Sequence, residues 1–407
     1  MKKILFVILA VTAALAWGQE LTDVVGPLYT FDMDDDHFNG TYGYSYPLRV
    51  SALNTASPLS AAIGNATVAS GQMIPEFGVN PANLAMTKYS SVQVNGVFSQ
   101  YNGVSRNSLG GISYIVPVPV YRGSLTFGAG VNRERDYNLY YQDTDIIQRS
   151  HGGLYNWHFN GAAEVQKDIF LGGEVSLLSG KRDNDIDFKD ALASVDGYVE
   201  ENAYFGASAR LGMTYHVLPV LNLGVSMDLP TLIGVDYSLR IYDSNSRSTS
   251  EFSIKAPGVL RAGLALTLKI VDLYYSYDYA NWQNMIVRSS DLEQSAVDQL
   301  NREITNNLSI TQSHHIGMAL HVPLLPLHFY FGYQYLPDIY QGLNSFSLAN
   351  LIPHELSDRF RSSFSWGASL FIKQGFSVSA SFETWHAFYN SVEETPVTSN
   401  LSLSYFF

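Results

Sequence analysis

Residues 397–407 read VTSNLSLSYFF, and their alternation decides the fold. Val397, Ser399, Leu401, Leu403, Tyr405 and Phe407 fall on one face of an extended chain. Thr398, Asn400, Ser402 and Ser404 fall on the other, and only Phe406 breaks the polar row. Successive side chains of a strand point to opposite faces, so one apolar and one polar row specify a strand lying between two different media. The pattern recurs upstream. Tyr155, Trp157, Phe159, Ala163 and Val165 alternate with Asn156, His158, Asn160, Glu164 and Gln166. Val271, Leu273, Tyr275, Tyr277 and Tyr279 alternate with Asp272, Ser276 and Asp278. Phe360, Phe364, Trp366, Leu370 and Ile372 alternate with Arg361, Ser363, Ser365 and Ser369, and Phe376, Val378, Ala380 and Phe382 with Ser377, Ser379, Ser381 and Glu383. In a soluble barrel the apolar rows would point inward. Rows this rich in aromatic and β-branched residues suit a lipid-facing surface.

Composition points the same way. Only 15% of the 407 residues are charged and 13% are aromatic, with 27 tyrosines, whereas soluble domains carry about a quarter charged residues. After residue 18 no apolar run approaches the length of a membrane helix. An array of soluble β-sandwiches or a propeller is the competing class. Lys2 and Lys3 precede an apolar run from Ile4 to Leu15, and Ala16-Trp17-Gly18 offers a cleavage site, so residues 1–18 are expected to be a signal peptide and Gln19 the mature start. The absence of cysteine excludes a lipid-modified cysteine, disulfides and thiolate metal sites. The formal net charge of −13 argues against nucleic acid as a partner.

Connections between the amphipathic segments alternate in length. Short ones sit near Pro117 to Val120, Lys167-Asp168, Leu218-Pro219, Ile270, Pro323 to Pro326 and Lys373 to Gly375. Longer ones run roughly over 138–153, 182–199, 229–251, 283–307, 337–358 and 389–395, with a brief one near Tyr101 to Asn107. Short turns at one end and long loops at the other are the asymmetry of a transmembrane barrel. Counting between them predicts an all-β fold: a transmembrane antiparallel β-barrel of about fourteen strands over 88–407. Gly234 to Tyr242 reads as an extra strand or an extension above the membrane. Asp291 to Glu303 reads as a short helix with Leu292, Ala296, Leu300 and Ile304 on one face. Residues 19–87 show no sustained alternation and are expected to form a plug or a periplasmic segment.

Two features carry a resemblance. The closing strand ending on Phe407 resembles the last strand of bacterial outer-membrane barrels, which implies recognition by the barrel-assembly machinery. Ser57 to Met86 reads SPLSAAIGNATVASGQMIPEFGVNPANLAM before a strand. Its Asn80-Pro81-Ala82-Asn83-Leu84-Ala85 resembles the NPAGLA motif of the FadL/TodX family of outer-membrane transporters and their PorV/PorQ relatives, with Asn83 in place of glycine. The resemblance implies an N-terminal plug or hatch holding Asn80, Pro81 and Ala82. It also implies passive uptake of hydrophobic small molecules such as long-chain fatty acids, which leave sideways through a gap in the wall. The alternative it implies is a non-transporting component of a protein secretion or surface-attachment complex, with secretion-complex proteins as partners. An apolar groove open to the outer-membrane lipid spares a hydrophobic ligand an aqueous pore. Leu229, Leu232, Ile233 and Val235 in one loop, and Phe346, Leu348, Leu351 and Ile352 in another, are the candidate lining.

The remaining motifs read as structural. Asp32, Asp34, Asp35 and Asp36 fail the calcium-loop pattern, because His37 and Gly43 stand where it needs Gly and Glu. Glu164, Glu174, Arg210, Asp228, Arg261, Asp272, Asp278, Arg361 and Glu383 fall on inward rows and are expected to pair with one another or with the plug. His314 and His315 are adjacent, so on a strand they point apart and cannot share a metal. No catalytic constellation, metal motif or cofactor fingerprint stands out, and neither an enzyme nor a cofactor is expected.

Overall fold

The computed structural model describes residues 57–71, 79–101, 104–137, 139–142, 146–188, 197–242, 247–337, 360–372, 375–389, 392–394 and 397–407. The expected signal peptide, the Asp32 to Asp36 cluster, and Phe346, Leu348, Leu351 and Ile352 lie outside the described residues.

The strands are β1 (Ser91–Tyr101), β2 (Val104–Val118), β3 (Leu125–Asp136), β4 (Leu139–Gln142), β5 (Ile146–Gln166), β6 (Ile169–Phe188) and β7 (Gly197–Leu218). They continue with β8 (Leu221–Asp228), β9 (Thr231–Ile241), β10 (Arg247–Ala256), β11 (Val259–Thr267), β12 (Val271–Asn281) and β13 (Ile286–Ser289). The last are β14 (Ile310–His321), β15 (Leu327–Pro337), β16 (Phe360–Ile372), β17 (Phe376–Tyr389), β18 (Val392–Glu394) and β19 (Val397–Phe406). All belong to one antiparallel sheet. It closes where β1 meets β19, from Ser91 opposite Phe406 to Gln100 opposite Val397. Closure leaves no sheet edge at the seam, the condition a wall in lipid has to meet. Four crossings consist of two strands in line (β3–β4, β8–β9, β10–β11, β12–β13), and β18 is a short loop strand beside β17. The wall therefore has fourteen crossings, the number the sequence predicts.

The alternating rows land as expected. Tyr155, Trp157, Phe159, Leu273, Phe364, Trp366, Phe382 and Leu401 are exposed on the outer face, while their polar neighbours His158, Asn160, Asp272, Ser276, Ser363, Ser381 and Asn400 are buried inside. Polar residues are buried here because the lumen is filled. In its short-turn half sit helix α1 (Pro58–Ala62), the turns that follow it, and a 3-10 turn (Pro81–Met86).

The long-loop end differs from expectation. Much of 138–153, 182–199 and 229–251 is strand rather than loop. Strands β5, β6 and β7 run 21, 20 and 22 residues, about twice what a bilayer crossing requires. Gly234 to Tyr242 is an extension above the crossing. All of it but Tyr242 falls in β9, which continues β8 and pairs with β7 from Ala207 opposite Leu232 to Tyr198 opposite Ile241. The expected helix exists as α2 (Gln294–Asn307). Its buried face is Val297, Leu300 and Ile304, and Ala296 is exposed.

Candidate functional site

The segment inside the barrel, the expected hatch, is held by paired asparagines. Asn80 caps the 3-10 turn: its Oδ1 accepts from the Ala82 N–H at 3.1 Å. Its Nδ2 lies 2.7 Å from the Val68 carbonyl, 3.1 Å from that of Met213 and 3.1 Å from Thr214 Oγ1. Pro81 suits the first helical position because its missing N–H would have no partner there. Ala82 is buried with Leu84, Ala85 and Met86 against Ile115, Ala162 and Phe170 of the wall. Asn83, the departure from the family motif, donates to the Thr67 carbonyl at 2.9 Å and accepts from the Thr214 hydroxyl at 2.8 Å.

The wall makes room for this backbone with glycine. A Cβ on Gly172 would stand 2.5 Å from the Ala82 nitrogen, and one on Gly317 2.6 Å from the Ile63 carbonyl. Gly212 faces Asn80 and Gly224 faces Val68 in the same way. Side chains then tie the hatch down. His315 Nδ1 donates to the Gly64 carbonyl at 2.8 Å, and Ser226 Oγ donates to that of Val79 at 2.6 Å.

Beyond the hatch, toward the long-loop end, a charged belt crosses neighbouring strands. Arg210 lies 3.5 Å from Glu174 and bonds Asp228 directly. Arg261 lies 2.8 Å from Asp228 and 3.3 Å from Asp278, which is 3.6 Å from His315. Gln334 carries the belt on, donating to Glu383 while it accepts from Asn65 of the hatch at 3.2 Å. Glu174, Arg210, Asp228, Arg261 and Asp278 therefore pair with one another, as predicted, while Glu383 is held by Gln334 and Ser363 and the side chain of Arg361 lies outside the described residues. His314, by contrast, faces outward among Tyr275, Tyr277 and Tyr335.

Above the belt the lumen turns apolar. Tyr137, just after β3, and Leu154, Leu178 and Tyr204 of β5–β7 meet Ile233, Val235, Ile254 and Val287 of β9, β10 and β13 and Met285 just before β13, together with Leu300 and Ile304 of α2 and the adjoining Leu308. A second buried polar group lies beyond it: Arg182 is 3.5 Å from Glu200, with side chains 4% and 3% exposed. Asn202 donates to Glu200 at 2.8 Å.

The first candidate lining group divides between the two faces. Ile233 and Val235 are 4% and 1% exposed inside, while Leu229 and Leu232 are 38% and 58% exposed outside. Three of the four lie beyond Pro230, on one strand, whose period of two sends neighbours apart. Most of the apolar cluster went unnoticed in the sequence. The available signal was an apolar residue on an otherwise polar inward row, such as Leu178 between Ser176 and Arg182.

No protein-family model and no curated protein matches the chain. Solved structures do. The CymD monoaromatic hydrocarbon channel matches with a TM-score of 0.59 at 13% identity, over 88% of this chain and 99% of its own. A Pseudomonas aeruginosa FadL homologue gives 0.60 at 12% identity, over 90% and 99%. The Pseudomonas putida toluene transporter TodX gives 0.57 at 14% identity, over 88% and 99%. At such identities the likeness is one of architecture. The chain has the FadL/TodX-type fold, a closed antiparallel barrel of fourteen strands.

Proposed function

We propose that this chain is a channel of the bacterial outer membrane for passive uptake of hydrophobic small molecules. The apolar cluster inside the upper lumen carries the reading. A water-filled pore presents polar side chains to its lumen, whereas here Leu154, Leu178, Ile233 and Ile254 face inward together. The architecture it shares with a toluene transporter and a monoaromatic hydrocarbon channel supports the same reading. So does the seam between β2 and β3. That ladder runs from Val118 opposite Leu125 to Gly111 opposite Asn132, although β2 continues to Val104 and β3 to Asp136. Tyr137 of the apolar cluster follows directly on β3, so a ligand leaving the cluster sideways meets a wall without a continuous ladder. The closing strand and Phe407 fit recognition by the barrel-assembly machinery.

Within this class the interior favours uncharged ligands over long-chain fatty acids. A buried carboxylate needs a cation or strong donors. Arg182, Arg210 and Arg261 each already lie within 3.5 Å of a carboxylate.

Binding of naphthalene and of dodecanoate to the purified barrel tests both levels. Saturable naphthalene binding, weakened at least tenfold by Ile254→Asp, is the expected result. No saturable binding of either compound removes the channel reading; dodecanoate binding as tightly as naphthalene removes only the preference for uncharged ligands.

A further inference from the structure

The apolar cluster is already occupied by the chain itself. Leu300 and Ile304 of α2, with Leu308 just after it, are buried among the inward residues of β9, β10 and β13. Together they place about a dozen side-chain carbons where a hydrophobic ligand gains the most from leaving water.

The helix that carries them is weakly fastened. Its N-cap, Glu293, makes no side-chain capping bond, its first turn holds no acidic residue and its last turn no basic one. A helix of 14 residues without caps is marginal by itself. One polar anchor is Asn301. The Asn301 carboxamide donates to the Val287 carbonyl at 2.9 Å and accepts from the Val287 N–H at 2.8 Å. Strand β13 pairs with β10 along one edge, so Asn301 stands in for a neighbouring strand along the other. A side chain that satisfies both backbone groups covers the edge and latches the helix with the same two bonds.

The ladders beneath are interrupted. The β8–β11 and β9–β10 ladders share one register, with Met227 opposite Leu260 and Thr231 opposite Ala256, which sets Pro230 opposite Pro257. Neither proline has an N–H to give to a ladder. At the next crossing β12 and β13 are separated by the 3-10 turn Trp282–Asn284 and Met285. Three adjacent crossings are therefore interrupted at one level, directly under the strands that face α2.

We infer that α2 is a resident occupant of the ligand site: a hydrophobic ligand binds by displacing Leu300 and Ile304, and the Asn301–Val287 latch sets how readily it does so. The inference rests on the channel reading. Hydrogen exchange of residues 294–307 in the intact, detergent-solubilised barrel, with and without naphthalene, is the test. Saturating naphthalene is expected to speed exchange in α2 at least tenfold and to leave β5–β7 unchanged. Asn301→Ala, which keeps the apolar face, is expected to tighten naphthalene binding several-fold. Naphthalene binding with α2 protection unchanged or increased overturns the inference and leaves the channel reading intact. A variant with residues 293–308 replaced by a Gly-Ser linker separates the two further. Tighter binding to it than to the native chain supports a resident helix. No binding to either form overturns the channel reading and, with it, the displacement.

Discussion

The Thr214 hydroxyl donates to the Asn83 carboxamide at 2.8 Å, so the residue at which the chain departs from the NPAGLA motif is tied to the barrel wall. The same hydroxyl accepts from Asn80 at 3.1 Å. One threonine on β7 thus joins both ends of the Asn-Pro-Ala-Asn unit. The departure adds a fastening where a glycine would offer only backbone.

Restoring the glycine should loosen the hatch. Asn83→Gly removes the bonds to Thr67 and Thr214, each worth about 1 kcal/mol net. Hydrogen exchange over 79–87 should rise at least tenfold while the melting of the barrel stays within about 2 °C. Unchanged exchange would show that the burial of Leu84 and Met86 alone holds the segment.

A side chain on the glycine cradle should push the hatch off the wall. Valine at position 212 would overlap Asn80 and meet Pro81 Cδ, where a Cβ already stands 2.8 Å away. Gly212→Val should raise single-channel conductance in planar bilayers. Gly234→Ala is the control, since its Cβ would meet only the Phe205 carbonyl at 3.6 Å. Equal conductance in both would mean that the hatch does not limit ion flow.

The Arg182–Glu200 pair should show the asymmetry of buried ion pairs. Removing one partner leaves a buried charge and costs about 3–5 kcal/mol, whereas replacing both is often close to neutral. In urea unfolding from micelles, Arg182→Met should therefore destabilise more than the double change Arg182→Met with Glu200→Gln. The reverse order would mean that Glu200 finds solvent once Arg182 is gone.

Deleting Phe407 should impair assembly more than stability. Its N–H donates to the Ser90 carbonyl at 2.9 Å, and its ring stacks on Tyr405 at 5.7 Å while remaining exposed. Barrel delivered to the outer membrane of living cells should fall several-fold, and unfolding of the purified, refolded protein should change by about 1 kcal/mol or less. Equal losses in both measurements would assign Phe407 a structural role only.

The sequence by itself determined what depends on neighbours along the chain. Alternation from Tyr155 to Gln166 or from Val397 to Phe407 states which side chains leave together, whatever surrounds them. Turn residues such as Lys167-Asp168 mark where the chain reverses, which is enough to count crossings. Helix α2 was legible for the same reason, although the face it buries was read one residue early at Ala296. The tertiary structure alone decided what depends on closure. No local pattern tells a strand that stops at Asp228 from one that resumes beyond Pro230, so 229–251 read as a long connection in which Gly234 to Tyr242 was either an extra strand or an extension above the membrane. The apolar cluster draws single residues from many strands, and only the register of each ladder brings Tyr204, Ile254 and Leu300 to one level. The Asn301–Val287 latch joins a helix to a strand edge that exists only because the wall folds as it does. A period of two is set by covalent geometry, whereas the level at which inward residues meet is set by ladder register and barrel curvature, which the whole closed sheet fixes at once.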